Sequence, residues 1–104
     1  MAKAQKKQDQ ISQILDERGS RYGDFKTHAF ITQLLKNDIK LFLDNQDKKL
    51  PLDMQESLDM IFHKIGRIVN GDPNYADSWI DIAGYAKLVS DRLQLEESSN
   101  ESAK

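Results

Sequence analysis

Four segments of the chain carry apolar residues at helical spacing. They span about residues 8–18, 26–44, 53–70 and 73–95. In each segment the apolar side chains recur three or four positions apart, which places them on one face of an α-helix. No segment alternates apolar and polar residues as a half-buried strand does. The pattern predicts an all-α fold, a small bundle of about four helices.

Capping and helix-breaking residues mark the ends of these segments. Asp24 or Thr27 can cap the second helix. Asp53 with Glu56 three positions later has the pattern of a capping box at the start of the third helix. Gly71 suits the end of the third helix, and the Asp-Pro pair after it suits the first turn of the fourth. We therefore expect the last two long helices to fold back on each other as an antiparallel pair.

The second and fourth predicted helices carry more apolar residues than one face can hold. In the fourth helix, Ile80, Gly84 and Leu88 lie away from the main apolar face. In the second helix the apolar residues cover more than one stripe, and they are Phe30, Ile31, Leu34, Leu35, Ile39, Leu41, Phe42 and Leu43. Such a helix is central in a bundle or shared with a partner chain. We therefore expect a homo-oligomer.

The ends of the chain differ from its middle. Residues 1–7 are polar and basic, residues 96–104 are polar and acidic, and both offer almost nothing apolar to bury. We therefore expect a helical domain at residues 8–95 between two mobile tails. Within that domain, Gly19 is the predicted stop of the first helix.

Composition narrows the possible functions. The chain has 104 residues, enough for one domain, and a net charge of −2 with both signs spread along it. That balance makes nucleic-acid binding an unlikely role, since a basic face is usually required. Cysteine is absent, which excludes disulfides and thiolate chemistry. Neither a membrane span nor a signal-peptide core is evident, so we expect a soluble cytoplasmic protein without membrane partners.

Two pairs of carboxylates are candidate metal ligands. Glu56 with Asp59, and Asp77 with Asp81, each lie on one side of their helix. If the helices cross suitably, the four groups can hold Mg²⁺. The alternative is structural: Glu56 completes the capping box, and Asp77 is favoured by the helix dipole. The metal hypothesis requires the carboxylates to converge in one pocket.

Basic residues near these acids are candidate phosphate ligands. Arg21, Lys64 and Arg67 can supply positive charge, although the last two also suit a helix C-terminus. No glycine-rich phosphate loop is present. His63 has an acid and an arginine four positions to either side, so it is a candidate base or simply part of a solvated stripe. His28 has no evident partner.

Several motifs resemble a small helical domain of unknown function found in many phage and prophage proteins. They are Arg-Tyr-Gly-Asp-Phe at 21–25, Lys-Ile-Gly-Arg-Ile at 64–68 with Asn-Gly at 70–71, and Asp-Ser-Trp-Ile-Asp-Ile-Ala-Gly-Tyr at 77–85. The resemblance covers roughly residues 15–88. It implies a phage or prophage origin and residence in the host cytoplasm, and it supplies no established activity.

More distantly, the pattern is similar to the all-α nucleoside triphosphate pyrophosphohydrolases of the MazG type. Those enzymes bind Mg²⁺ through carboxylates on neighbouring helices and cleave between the α and β phosphates, usually as dimers or tetramers. The resemblance implies one acidic motif at Glu56-Ser57-Leu58-Asp59 and a second formed by Asp77 with Asp81. In that family the second pair is spaced by three, whereas here it is spaced by four.

Two hypotheses from different classes follow. In the first, a dimer or tetramer binds a nucleoside phosphate and either hydrolyses it with Mg²⁺ or only holds it. In the second, the chain is a non-catalytic phage protein that binds or inhibits a host protein. Whether the chain is an enzyme, which nucleotide it binds and which host protein it meets are left open by the sequence.

Overall fold

The computed structural model describes residues 2–103, with side chains for residues 9–100. The chain forms four helices, α1 (Ala2–Tyr22), α2 (Phe25–Asn45), α3 (Leu52–Asn70) and α4 (Ala76–Ala103). No strand occurs in this range, which confirms the predicted all-α fold. Among the described helices, none has both the length and the apolar character needed to cross a membrane.

The first and last helices are longer than predicted. Helix α1 continues through Gly19 and ends before Gly23, which has a φ of 78° and donates its N–H to the Gly19 carbonyl at 2.9 Å. Glycine adopts this left-handed conformation without steric cost, so it is the actual stop signal. Helices α1 and α4 also include residues 2–7 and 96–103, which the sequence assigned to tails. Whether these ends are mobile stays a prediction.

Of the predicted helix starts, the one at α2 is confirmed and the capping box at α3 is wrong. Asp24 caps α2, and its carboxylate accepts a hydrogen bond from the Thr27 N–H at 2.9 Å. At α3, the N-cap is Pro51 and no side chain caps the helix. The carboxylate of Asp53 instead binds the guanidinium of Arg92 on α4. The carboxylate was expected to accept from a backbone N–H in the first turn of α3, and its partner is instead the distant Arg92.

Helix α4 begins later than the Asp-Pro pair predicted. Asp72 accepts a hydrogen bond from the Asn74 N–H at 2.9 Å and so stabilises a turn before the helix. The carbonyl of Pro73 lies in this turn and accepts a hydrogen bond from the Trp79 indole at 2.8 Å. The helix therefore starts at Ala76, one turn after the predicted position.

Helix α3 contacts each of the other three helices, whereas α4, as far as the described residues go, packs only on α3. Along the α3–α4 contact, Asp53 pairs with Arg92, Ser57 donates to the Tyr85 carbonyl at 2.9 Å, and Lys64 pairs with Asp81 at 3.0 Å. As the residue number increases along α3, the number of its partner on α4 decreases. The predicted antiparallel pair is therefore confirmed.

The turn between α1 and α2 packs against the turn that follows α3. The Asn70 side-chain amide donates to the carbonyls of Tyr22 and Asp24, at 3.2 and 2.9 Å. A Cβ placed on Gly71 would overlap the backbone of Arg21 and Tyr22. The motifs at 21–25 and 70–71 are therefore two halves of one contact, which fixes α1 and α2 against α3.

The described chain buries little apolar surface of its own. Among the described side chains, Phe62 is the only buried apolar one, and the buried polar ones are His28, Thr32, Ser57, Lys64 and Ser78. The molecule measures 69 × 32 × 29 Å, with a radius of gyration of 18.9 Å. A compact chain of this length has a radius of gyration of about 13 Å. The arrangement is therefore open, and much apolar surface faces solvent.

Replacing Gly71 by alanine should destabilise the fold, because the new Cβ has no room between the two turns. We expect the free energy of unfolding to fall by about 1–3 kcal/mol, measured by urea denaturation followed by circular dichroism. Gly19→Ala is the matched control: nothing lies within 4 Å of its Cβ position, and Gly19 is inside a helix. This control should gain up to about 1 kcal/mol. Equal midpoints for Gly71→Ala and the unmodified chain would contradict the contact.

Candidate ligand site between α1, α2 and α3

An open cavity of about 370 Å³ lies where α1, α2 and α3 meet. Its walls include two arginines, two histidines and two aromatic residues, which are Arg18, Arg67, His28, His63, Tyr22 and Phe25. The volume is at the lower end of the range typical of small-molecule sites, about 300–1,000 Å³. Cationic and aromatic groups thus share one concave surface.

Arg67 is the best-placed cation of this cavity. Its guanidinium carbon lies 4.1 Å from the centre of the Tyr22 ring, a cation–π contact that orients the group without neutralising it. Among the ion pairs of residues 9–100, neither Arg67 nor Arg18 pairs with a carboxylate. Both charges are therefore available to an anion in the cavity.

A pair of histidines connects α2 with α3 beside the cavity. Nε2 of His28 lies 3.1 Å from Nδ1 of His63, and the rings meet edge to face with centroids 4.5 Å apart. His28 is only 6% exposed. Gly66 makes its position possible, since a Cβ there would come within 2.9 Å of the His28 ring. The hydrogen bond requires one ring to donate and the other to accept, so the two rings cannot both be protonated.

Burial and positive charge keep these rings neutral. Burial is the main cause that lowers the pKa of both rings, and the charge of Arg67 is the next. The pKa of His63 falls to about 4. Besides Arg67 and His28, Lys64 and Lys36 contribute to that shift. Both rings are therefore neutral at pH 7, mainly because they are buried.

Of the three predicted phosphate ligands, the structure places Arg67 in the cavity. Arg21 lines a second cleft, which shares Arg18, Tyr22 and Arg67 with the cavity. Its guanidinium donates to the Tyr75 hydroxyl at 3.0 Å and pairs with Glu17 at 3.0 Å. Arg21 is therefore near Arg67 but already engaged.

Lys64, the third predicted ligand, lies elsewhere. It is 8% exposed, and its Nζ lies 3.0 Å from Oδ2 of Asp81 on α4. A buried ammonium next to a carboxylate needs that partner to offset the loss of its hydration. Lys64 and Asp81 therefore connect α3 to α4 within the chain.

The four predicted metal ligands have separate surroundings. Besides Asp81 with Lys64, Asp77 accepts from the Tyr75 hydroxyl at 2.9 Å, and Asp59 accepts from Gln55 at 3.0 Å. Glu56 is exposed. Within the described residues, no three His, Asp or Glu side chains come together as ligands of one ion. The Mg²⁺ site at these residues stays a prediction, whether in one copy or between copies.

Sequence reasoning missed the contact between His28 and His63. It placed His63 on the polar face of the third helix, opposite the apolar stripe, whereas α3 packs against neighbours on more than one side. One local signal was present: Gly66 inside a helix costs about 1 kcal/mol relative to alanine. A glycine retained at that cost indicates a close neighbour, and here the neighbour is His28.

Lowering the pH should destabilise the chain through His63. The unfolded ring has a pKa near 6.5 and the folded ring one of about 4. The unfolded state therefore binds more protons below pH 6.5, and the free energy of unfolding falls as pH drops towards 4. Between pH 7.5 and 5, we expect a loss of roughly 1–2 kcal/mol, reduced from the full shift because the ring is partly exposed. Urea titrations of the unmodified chain and of His63→Gln test this, and an equal pH slope in both would contradict it.

Replacing Asp81 by asparagine should destabilise the chain, because Lys64 would keep a buried charge without its partner. We expect a loss of about 1–3 kcal/mol in chemical denaturation. Asp91→Asn is the matched control, since it breaks an exposed pair with Lys87 one turn away on the same helix. That control should change stability by less than about 1 kcal/mol. Equal losses in the two variants would refute a structural role for the Lys64–Asp81 pair.

Comparison of the chain with protein-family models, with curated proteins and with solved structures found no match. The resemblances drawn from the motifs at 21–25, 64–71 and 77–85 therefore stay expectations. Any function assigned to the chain depends on the geometry of its own side chains.

Proposed function

We propose that the chain binds a nucleoside phosphate in the cavity between α1, α2 and α3. The observation that carries this proposal is the position of Arg67, a cation without a carboxylate partner among the described ion pairs, beside aromatic rings on a concave surface. A guanidinium can hold two phosphate oxygens at once. Phe25 is 79% exposed at the rim and offers a face on which a nucleobase can stack.

Charge favours one orientation of the ligand. Arg18 and Arg67 supply positive charge, whereas Asp24 also lines the cavity and carries a negative one. Hydrogen bonds from the Thr27 backbone and hydroxyl lower the pKa of Asp24, so it stays ionised at neutral pH. A phosphate is therefore favoured beside the arginines and away from the start of α2.

The activity proposed for one copy is binding. Asp59, Asp77 and Asp81 each have a different partner within the chain. Mg²⁺-dependent pyrophosphohydrolysis would therefore require a rearrangement or acids from a second copy. In this proposal the protein acts in the cytoplasm of a phage-infected host cell, as the resemblance to the phage domain implies.

A second candidate function is a non-catalytic phage protein that binds or inhibits a host protein. It is favoured by large apolar side chains that are exposed on the described surface, among them Phe30, Phe42, Trp79 and Leu88, each at least 55% exposed. Exposed apolar patches often mark protein interaction sites. This candidate does not need the cavity, so the two functions can be separated by experiment.

Ligand binding should be visible as thermal stabilisation. We expect at least one nucleoside mono-, di- or triphosphate in a panel, with and without Mg²⁺, to raise the melting temperature. A ligand at a hundred times its Kd stabilises the folded state by about 2.7 kcal/mol. Arg67→Gln should weaken binding of the same nucleotide by at least about tenfold, since a charge-assisted contact is lost. Isothermal titration calorimetry measures that change.

Lys40→Gln is the matched control for the loss of one positive charge, because Lys40 is an exposed residue of α2 that pairs with Asp44 away from the cavity. It should keep the affinity of the unmodified chain. Equal weakening in both variants would point to non-specific attraction. A panel without any stabilised condition would overturn the proposal and favour the host-protein candidate.

A further inference from the structure

Three large apolar side chains form a stripe on α2 that faces solvent. Phe30, Leu34 and Leu41 are 67%, 49% and 53% exposed. At roughly 3.6 residues per turn, they lie within about 40° of one another around the helix. His28 and Thr32, the buried residues of α2, lie on the opposite side. We call these three residues the α2 stripe.

Helix α4 carries a second stripe, formed by Ile80, Gly84 and Leu88 at intervals of four residues. Ile80 and Leu88 are 63% and 68% exposed, and nothing lies within 4 Å of a Cβ built on Gly84. Ser78, which is 3% exposed, marks the different side of α4 that packs on α3. A glycine inside a helix costs about 1 kcal/mol relative to alanine, and no contact within the described chain accounts for it. Between two large residues, it leaves a depression that fits a side chain of another helix.

The total accessible surface shows how much area a partner can cover. The chain exposes 8322 Å². A compact monomer of 11.9 kDa exposes roughly 5,900–6,000 Å². The projecting ends of α1 and α4 contribute part of the excess of roughly 2,400 Å². A standard interface takes about 800 Å² from each partner, and obligate homodimers take more. The excess is sufficient for an obligate interface.

We propose that two copies of this chain form a two-fold dimer in which the α2 stripe of each copy packs against the α4 stripe of the other. One symmetry operation then buries both stripes twice. In the described chain Phe62 is the only buried apolar side chain, and a partner on the two stripes would bury further apolar surface. Another copy can be that partner. A net charge of −2 per chain opposes the association only weakly. This inference does not depend on nucleotide binding.

The first measurement is the mass of the unmodified chain in solution, without nucleotide, by light scattering or sedimentation. We expect twice the chain mass of 11.9 kDa at micromolar concentration. Gly84→Leu fills the depression and should weaken the dimer at least tenfold. Gly19→Leu is the matched control, because Gly19 is also a helical glycine with open space and lies outside both stripes. It should leave the dimer unchanged.

A second measurement tests the pairing of the stripes even if weakened dimers unfold. The chain has no cysteine, so Leu34→Cys and Leu88→Cys each provide a unique thiol. Equal amounts of the two variants are unfolded together, refolded and treated with a short bis-maleimide. We expect the linked 34–88 product from the mixture to exceed the 34–34 and 88–88 products from either variant alone. A monomeric mass would overturn the dimer and leave the stripes to a different protein, and a predominance of like-with-like products would overturn the pairing.

Discussion

The described structure depends on α3, which contacts every other helix and carries polar side chains that bind two of them. Ser57 and Lys64 bind α4, and His63 binds α2. Hydrogen bonds are directional, so together these contacts restrict the rotation and register of the helices. Their net contribution to stability is small, about 1 kcal/mol for a typical hydrogen bond. The polar contacts therefore specify how the helices are arranged, while most of the stability of the fold has to come from other interactions.

Polar contacts that specify the fold without much stabilising it are consistent with a surface on which many large apolar side chains are exposed. The pair of Lys64 with Asp81 must first offset the hydration that the buried ammonium of Lys64 loses, so it stabilises little by itself. Apolar burial normally supplies the rest, yet Phe62 is the only buried apolar side chain in the described part of the chain. In the proposed dimer, further apolar burial comes from the exposed stripes of α2 and α4.

Local sequence patterns predicted the helices, but they did not predict the side-chain contacts between residues far apart in the chain. The apolar spacing predicted four helices, the glycine and Asp-Pro pair at 71–73 predicted the antiparallel α3–α4 pair, and Asp24 capped α2 as expected. The capping box failed because Asp53 found Arg92, which lies 39 residues away in the chain. Spacing also put the acid pairs on one side of each helix, but it does not determine how a helix rotates against its neighbour. For the same reason Lys64 met Asp81 instead of joining Arg67.

The two proposals meet in α2. One side of this helix carries His28, which reaches His63 beside the cavity, and the other side carries Phe30 of the α2 stripe. Within one copy, α2 is held by the histidine contact, by packing on α3 and by the turn at Asp24. A partner on the outer stripe would add apolar burial on the opposite side and fix the wall of the cavity more firmly. Helix α2 forms one of the three walls of the cavity and is better fixed when it is held on both sides, so self-association would pre-organise the cavity for its ligand.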